Sequence, residues 1–107
     1  MSDYLQVFCT AGCRSEAEKI AEALVEQRLA ACAQIAGPIT SIFRWEGEVE
    51  HAEEWLLLMK TTVEAYPAME RVILEMHSYD TPEITAVPIE RGSAGYLQWL
   101  DDSVARA

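Results

Sequence analysis

Two long strand-like arms meet at a single tight turn near the middle of the chain. The arms run from about residue 31 to 45 and from about residue 48 to 61, and Glu46-Gly47 joins them in a predicted β-hairpin. Arms of about fourteen residues span ~46 Å at roughly 3.3 Å per residue. A globular chain of this length is only ~34 Å across. The hairpin is therefore expected to extend beyond its own domain, with a break in its first arm at Gly37-Pro38.

The predicted hairpin carries large apolar side chains along most of its length. These side chains are Ile42, Phe43, Trp45, Trp55, Leu56, Leu57 and Leu58. The run from residue 55 to 59 is continuously apolar, which is typical of a strand buried on both faces. An overhanging apolar hairpin needs a cover, so we expect an oligomer in which another subunit supplies it.

The remaining elements surround the hairpin in a regular order. We predict strands near residues 4–10 and 84–89, and helices near residues 15–28, 63–77 and 96–104. This order predicts an α+β, ferredoxin-like βαββαβ sandwich with a long central hairpin and a short C-terminal helix. Right-handed crossovers place both main helices on one sheet face and leave the other face uncovered. Residues 1–107 are expected to form one domain.

Charge and cysteine usage restrict the partners and the compartment. The 18 acidic and 8 basic residues give a formal charge of −10, which repels phosphate backbones and anionic lipid. We therefore expect neither a nucleic-acid nor a membrane partner, and we see neither a signal peptide nor a run long and apolar enough to cross a bilayer. Three cysteines, an odd number, favour reduced thiols in a cytoplasmic protein.

Six segments spread over nearly the whole chain carry a family resemblance. They are VFCTAG (7–12), LAACAQI (29–35), ITSIFRWEGEVE (39–50), LLLMKTT (56–62), HSYDTPEI (77–84) and GYLQWL (95–100). Together they resemble the motifs of the CutA family, the divalent-cation tolerance proteins. The resemblance implies a ferredoxin-like subunit, an interlocked homotrimer, a cytoplasmic setting and a link to copper and other divalent cations. It also implies an architecture similar to the trimeric PII proteins, which bind effectors between subunits.

The resemblance further implies a copper site. Members of the family are proposed to bind copper through a first-strand cysteine and two adjacent histidines before the Tyr-x-Thr-Pro-Glu segment. Here these positions are occupied by Cys9, Met76 and His77. Thiolate, thioether and imidazole are ligands that favour Cu(I). In the alternative interpretation Cys9 and Met76 are packing residues, and His77 only closes the second helix.

Several other groups could hold a ligand. Four residues match family motifs and could line a cleft between subunits that binds a small anion or zwitterion: Trp45, Lys60, Tyr79 and Glu83. Interface hydrogen bonding is the alternative role for these four. Cys13 lies one residue too far from Cys9 for a Cys-x-x-Cys metal loop, so we interpret these two as incidental thiols. The alternating acids Glu46, Glu48 and Glu50 are better explained as a solvated hairpin tip than as a cation site.

Signatures of enzymes are missing from the sequence, which has no nucleophile elbow, phosphate-binding loop or zinc-protease motif. This absence leads us to expect a non-enzymatic protein without an organic cofactor, and the resemblance implies a trimer in divalent metal response that is able to bind copper. One alternative is a PII-like signalling module that binds a small effector at clefts between subunits. Another is a trimeric scaffold for a partner protein. The segment HSYDTPE is expected to end the second helix, to turn at residues 80–82 and to start the last strand.

Overall fold

A four-stranded antiparallel sheet forms the centre of the computed structural model, which describes residues 3–105. The strands lie in the order β2-β3-β1-β4. In chain order the elements are β1 (Tyr4–Ala11), α1 (Arg14–Glu26), β2 (Cys32–Trp45), β3 (Glu48–Thr62), α2 (Tyr66–Met76), β4 (Ile84–Pro88) and α3 (Ala94–Ser103). This arrangement confirms the predicted ferredoxin-like α+β fold with its long hairpin and C-terminal helix.

One layer of the molecule is formed by α1 and α2, which bury their apolar stripes against the same sheet face. Buried residues recur at helical spacing in α1, and every second residue is buried along the middle of β1 and β3. The largest members of the resulting core are Val7, Cys9, Ile20, Leu24, Leu57, Met59, Met69 and Ile73. The sheet face that carries these residues is called the helix face below.

The first helix ends two residues earlier than predicted because Arg28 adopts a left-handed backbone conformation, with φ of 59°. The Leu29 N–H donates to the Leu24 carbonyl oxygen at 2.9 Å, as in a Schellman motif. The Arg28 guanidinium then donates to the carbonyl oxygens of Asp102 and Ser103, at 2.6 and 3.2 Å. Arg28 thus ends α1 and also caps the C-terminus of α3.

The predicted hairpin is present, and the geometry of its turn accounts for the residue pair Glu46-Gly47. Glu46 and Gly47 both have positive φ values, 49° and 82°, as a two-residue type I′ turn requires. The molecule is 44 Å long but only 25 and 21 Å in the other directions. The pairing of β2 with β3 shifts register between Ala36 and Ile39, where the sequence places Gly37-Pro38. Beyond this shift the hairpin leaves the helix layer, and Ile42 is 63 % exposed.

The sheet face opposite α1 and α2 is called the open face. Side chains alternate along a strand, so the even-numbered residues of β3 lie on this face when the odd-numbered Leu57 and Met59 point to the helices. The open face carries Phe8, Leu56, Leu58 and Lys60, and on the hairpin Phe43 and Trp45. At one end of the sheet, Leu100 of α3 and Val104 just after it pack against Ala31 and Ala65. Among residues 3–105, no helix has the length and apolar character needed to cross a membrane.

Candidate functional site

Cys9, the first predicted copper ligand, lies in the core. It pairs with Leu57 on one side and Ile84 on the other, and its side chain is fully buried. Burial, together with the negative charges of Glu83, Glu16 and Glu54, raises the pKa of Cys9 to about 12. The thiol is therefore protonated near neutral pH and behaves as a packing group in this conformation.

Cys13 has the opposite environment. It is the exposed N-cap residue of α1, and its Sγ lies 3.4 Å from the Ser15 hydroxyl. That hydrogen bond and one to the backbone of Glu16 lower the pKa of Cys13 below its ordinary value. The structure leaves all three cysteines as free thiols, with Cys32 half-buried 3.6 Å from the Tyr96 hydroxyl.

This contrast predicts a strong order of thiol reactivity. Iodoacetamide at pH 8 should label Cys13 first, because it is exposed and its pKa is lowered by its hydrogen bonds. Cys9 should react more than about a hundredfold more slowly, since it is buried and its thiolate is rare at that pH. Peptide mass spectrometry over time measures both rates, and Cys13→Ser should remove the fast phase. Rapid labelling of Cys9 in the folded protein would contradict its buried position.

His77, the second predicted ligand, uses both ring nitrogens in hydrogen bonds. The ring is 8 % exposed, with Nε2 2.7 Å from the Thr10 carbonyl oxygen. The backbone N–H of Tyr79 donates to Nδ1 at 3.1 Å. A carbonyl oxygen only accepts and a backbone N–H only donates, so Nε2 carries the proton and Nδ1 provides the lone pair. His77 is therefore a neutral imidazole of one defined tautomer, without a free nitrogen for a metal ion.

Met76, the third predicted ligand, is the last residue of α2 and is exposed. The structure brings the ring of His77 to Thr10, next to Cys9, but it buries the thiol and occupies the imidazole. The chemical types of the three donors suit a soft metal ion. In this arrangement, however, the Cys9 thiol and the His77 ring nitrogens are not free to bind one. Within residues 3–105, no three His, Cys, Asp or Glu side chains meet in a group that could hold a metal ion.

Tyr79 lies beside His77 and links it to β3. The two rings are 4.8 Å apart and inclined by 50°. The Tyr79 hydroxyl donates to Glu54 Oε2 at 2.9 Å. Partial burial and this carboxylate raise the pKa of Tyr79 to about 12, so the hydroxyl stays protonated and remains a donor. Glu54 itself is only 7 % exposed, which is unusual for a carboxylate and makes this hydrogen bond important.

The first turn of α1 completes this corner. Glu16 Oε2 accepts a hydrogen bond from the Ser78 N–H at 2.9 Å. Partial burial acts to raise the pKa of Glu16, but the hydrogen bonds that its carboxylate accepts from Ser78 and from the Gly12 backbone hold the pKa below its ordinary value. Gly12 passes close to Tyr79, because a Cβ at this position would lie 3.0 Å from the hydroxyl oxygen. Residues from β1, α1, β3 and the segment after α2 thus converge on one aromatic pair.

The four predicted cleft residues are far apart within one subunit. Trp45 pairs with Glu48 at the hairpin tip, and Tyr79 reaches β3 at Glu54. Lys60 lies further along β3, where it donates to the Gln34 side chain at 3.2 Å. Positions 48 and 60 of one strand are ~40 Å apart at roughly 3.3 Å per residue. Glu83 is exposed just before β4. A single copy therefore does not bring these four side chains together.

Sequence reasoning missed Glu54, Thr10 and Glu16 as parts of this corner. Glu54 lies on the same arm as the alternating acids Glu48 and Glu50 and is of the same residue type, yet it pairs with Ile39 at the base of the overhang and is buried. The strand alternation contained a usable signal, because Glu54 shares a face with Leu56 and Leu58. Thr10 contacts His77 through its backbone carbonyl oxygen, which every residue type has, so the sequence does not indicate this contact.

Comparisons with known proteins give one consistent family. The family model described as "CutA1 divalent ion tolerance protein" matches residues 5–103. The divalent-cation tolerance protein CutA of Thermus thermophilus is 46% identical over 91% of this chain and 94% of its own length. Its namesake from Archaeoglobus fulgidus is 45% identical over 92% of this chain and 95% of its own length. The crystal structure of CutA1 from Oryza sativa superposes with a TM-score of 0.96 at 32% identity, covering 99% of this chain and 97% of that one.

Proposed function

We propose, because this chain belongs to the CutA1 divalent ion tolerance family, that it acts in tolerance of, or response to, divalent cations as a cytoplasmic, non-enzymatic homotrimer. The family description names a tolerance function and no reaction. Three free thiols agree with a reducing compartment.

The observation that supports an oligomer is the distribution of side chains along the hairpin, while the number of three subunits is what the family resemblance implies. Ile42, Phe43, Trp45 and Val49 are exposed beyond the helix layer, on both faces of the hairpin, and exposed apolar side chains grouped in this way mark an interaction site. Trp45 and Lys60 are too far apart to contact one ligand within a subunit. Neighbouring copies that cover each hairpin would account for the exposed apolar side chains. A cleft shared between copies would account for the separation of Trp45 and Lys60.

Copper binding through Cys9, Met76 and His77 is a second part of the proposal. The donor types support it, since thiolate, thioether and imidazole suit Cu(I). Ligation by His77 has to break one of the two hydrogen bonds of the ring, and ligation by Cys9 has to deprotonate a buried thiol. We therefore expect copper to reach these residues only when the corner opens, with release of a proton.

Calorimetric titration of the reduced protein tests this part. Cu(I) should bind, and the measured heat should depend on the ionisation enthalpy of the buffer, because the Cys9 proton is released. Binding should be lost in a Cys9→Ala/His77→Ala double variant. His51→Ala is the matched control, since His51 is exposed on the hairpin. Binding of the same strength in the double variant would remove Cys9 and His77 from the proposal.

A small effector bound between subunits is the second candidate function. It is favoured by polar groups at two separate positions along β3, namely Lys60 with Gln34, and Glu54 with Tyr79. Such groups at the edge of an apolar surface are typical of ligand sites completed by another chain. If copper binding does not depend on Cys9 and His77, this candidate becomes the preferred one.

A further inference from the structure

Tyr79 is held at several points. Its N–H donates to His77 Nδ1, its ring packs at 4.8 Å from the imidazole, and its hydroxyl donates to Glu54. Gly12 leaves room for the phenol oxygen, where a Cβ would approach to 3.0 Å. An exposed tyrosine with this many constraints has little rotational freedom left.

Two of these constraints come from His77, which is itself fixed to the end of β1. Its backbone N–H donates to the Ile73 carbonyl oxygen, and its Nε2–H donates to the Thr10 carbonyl oxygen. The ring therefore connects α2 and β1 through one nitrogen and presents the other as the acceptor for Tyr79. Only the neutral tautomer with its proton on Nε2 makes both bonds.

We infer that His77 is a positioning residue, which orients Tyr79 so that its hydroxyl meets the buried carboxylate of Glu54. Without the Nδ1 acceptor, Tyr79 loses the bond that fixes its backbone. Glu54 then loses a donor in a place where the carboxylate is 7 % exposed. A residue that only closes α2 would need its own backbone N–H alone, so a histidine would not be required there.

An effect of His77 on ligand binding rests on the proposed function, since it requires that Tyr79 line a ligand site between copies. The orientation of Tyr79 itself does not depend on that proposal, because every contact above lies within one subunit. His77 cannot hold Tyr79 through Nδ1 and offer that lone pair to a metal ion at the same time. Positioning of Tyr79 and metal ligation through Nδ1 therefore exclude one another.

Two substitutions separate the two bonds of the ring. In His77→Asn, the side-chain oxygen can accept the Tyr79 N–H as in an Asx turn, but the contact with Thr10 is lost. In His77→Gln, the longer amide can still donate to Thr10, but it lacks an acceptor at the Nδ1 position. Both variants lose one hydrogen bond, so a purely structural role predicts similar effects from the two.

Amide exchange measured by NMR distinguishes these cases. The Tyr79 amide should exchange about tenfold faster in His77→Gln and stay within about twofold of the native rate in His77→Asn. The Tyr79 ring resonances should shift in the Gln variant alone. Equal losses of protection in the two variants, or no loss in either, would overturn the inference. His51→Gln is the control and should leave the Tyr79 amide unchanged.

The unmodified protein gives an independent test that no folding defect can obscure. Long-range ¹⁵N NMR of the His77 ring at pH 7.5 should show a bare Nδ1 and a protonated Nε2. A proton on Nδ1 under these conditions would refute the positioning role. These readouts do not require a trimer, so a wrong molecular mass would contradict the proposed function and leave this inference standing.

Discussion

Static light scattering on the reduced protein is expected to give a mass of about 36 kDa, which is three copies of the 12.0 kDa chain. The hairpin carries exposed apolar groups on both of its faces, with Ile42 on the helix side and Phe43 on the open side. A surface of this kind is stable in water when other copies cover it, and apolar burial supplies the driving force.

Charges placed on this surface should break the assembly. The double variant Ile42→Glu/Phe43→Glu should reduce the measured mass from about 36 kDa to about 12 kDa, since each buried, unpaired carboxylate costs several kcal/mol. The fold of the subunit should survive, because both positions lie outside the hydrophobic core. Circular dichroism of the variant checks that the secondary structure is kept.

The matched control places the same charges on the helix layer. Val25 and Leu74 are 41 % and 51 % exposed, against 63 % and 41 % for Ile42 and Phe43. Val25→Glu/Leu74→Glu should therefore keep the native mass, because these side chains lie on the outer surface of α1 and α2. A native protein of 12 kDa would contradict the trimer. Equal dissociation of both double variants would show that the loss of assembly is not specific to the hairpin, which would contradict this assignment of the interface.

Gly37→Ala is expected to be the most destabilising small substitution in the hairpin. A Cβ at this position would lie 2.6 Å from Trp55 Cδ1 and 2.9 Å from Cγ. These atoms are near the root of the indole, and Trp55 packs against the main core, so the ring has little freedom to withdraw. We expect a loss of about 2 kcal/mol in the free energy of unfolding, or roughly 10 °C in Tm.

Gly95→Ala is the comparison for this effect. Gly95 lies in α3, and a Cβ there would meet no atom within 4 Å. Alanine is the better helix former, so this variant should be more stable by about 0.5 kcal/mol. Thermal unfolding by circular dichroism at one protein concentration measures both variants. A Tm for Gly37→Ala within a degree of the native value would mean that Trp55 is not held over the Gly37 backbone.

The sequence by itself was sufficient for the secondary structure and its order. Apolar side chains at helical spacing, among them Ala17, Ile20 and Leu24, predict α1, and Glu46-Gly47 predicts the hairpin turn. These signals are local, since each depends on backbone preferences or on the period of one element. The order of the elements then left few topologies, and the ferredoxin-like one is observed.

Boundaries were less accurate where a distant contact decides them. The prediction extended α1 to Arg28, whose charge and helix propensity suit a last turn. In the structure Arg28 is left-handed, and its side chain caps α3, which lies about seventy-five residues further along the chain. No property of the local sequence predicts that Arg28 contacts α3.

The residue types of the candidate corner were visible in the sequence, but their chemistry was decided by the tertiary structure. Cys9 and His77 were identified as donors, while the burial that protonates the thiol comes from packing against β3 and β4. The tautomer of His77 follows from a carbonyl oxygen sixty-seven residues away. The sequence determined which donor side chains exist. Only the fold determined which of them are already buried or hydrogen-bonded, because it brings distant backbone and carboxylate groups into contact with them.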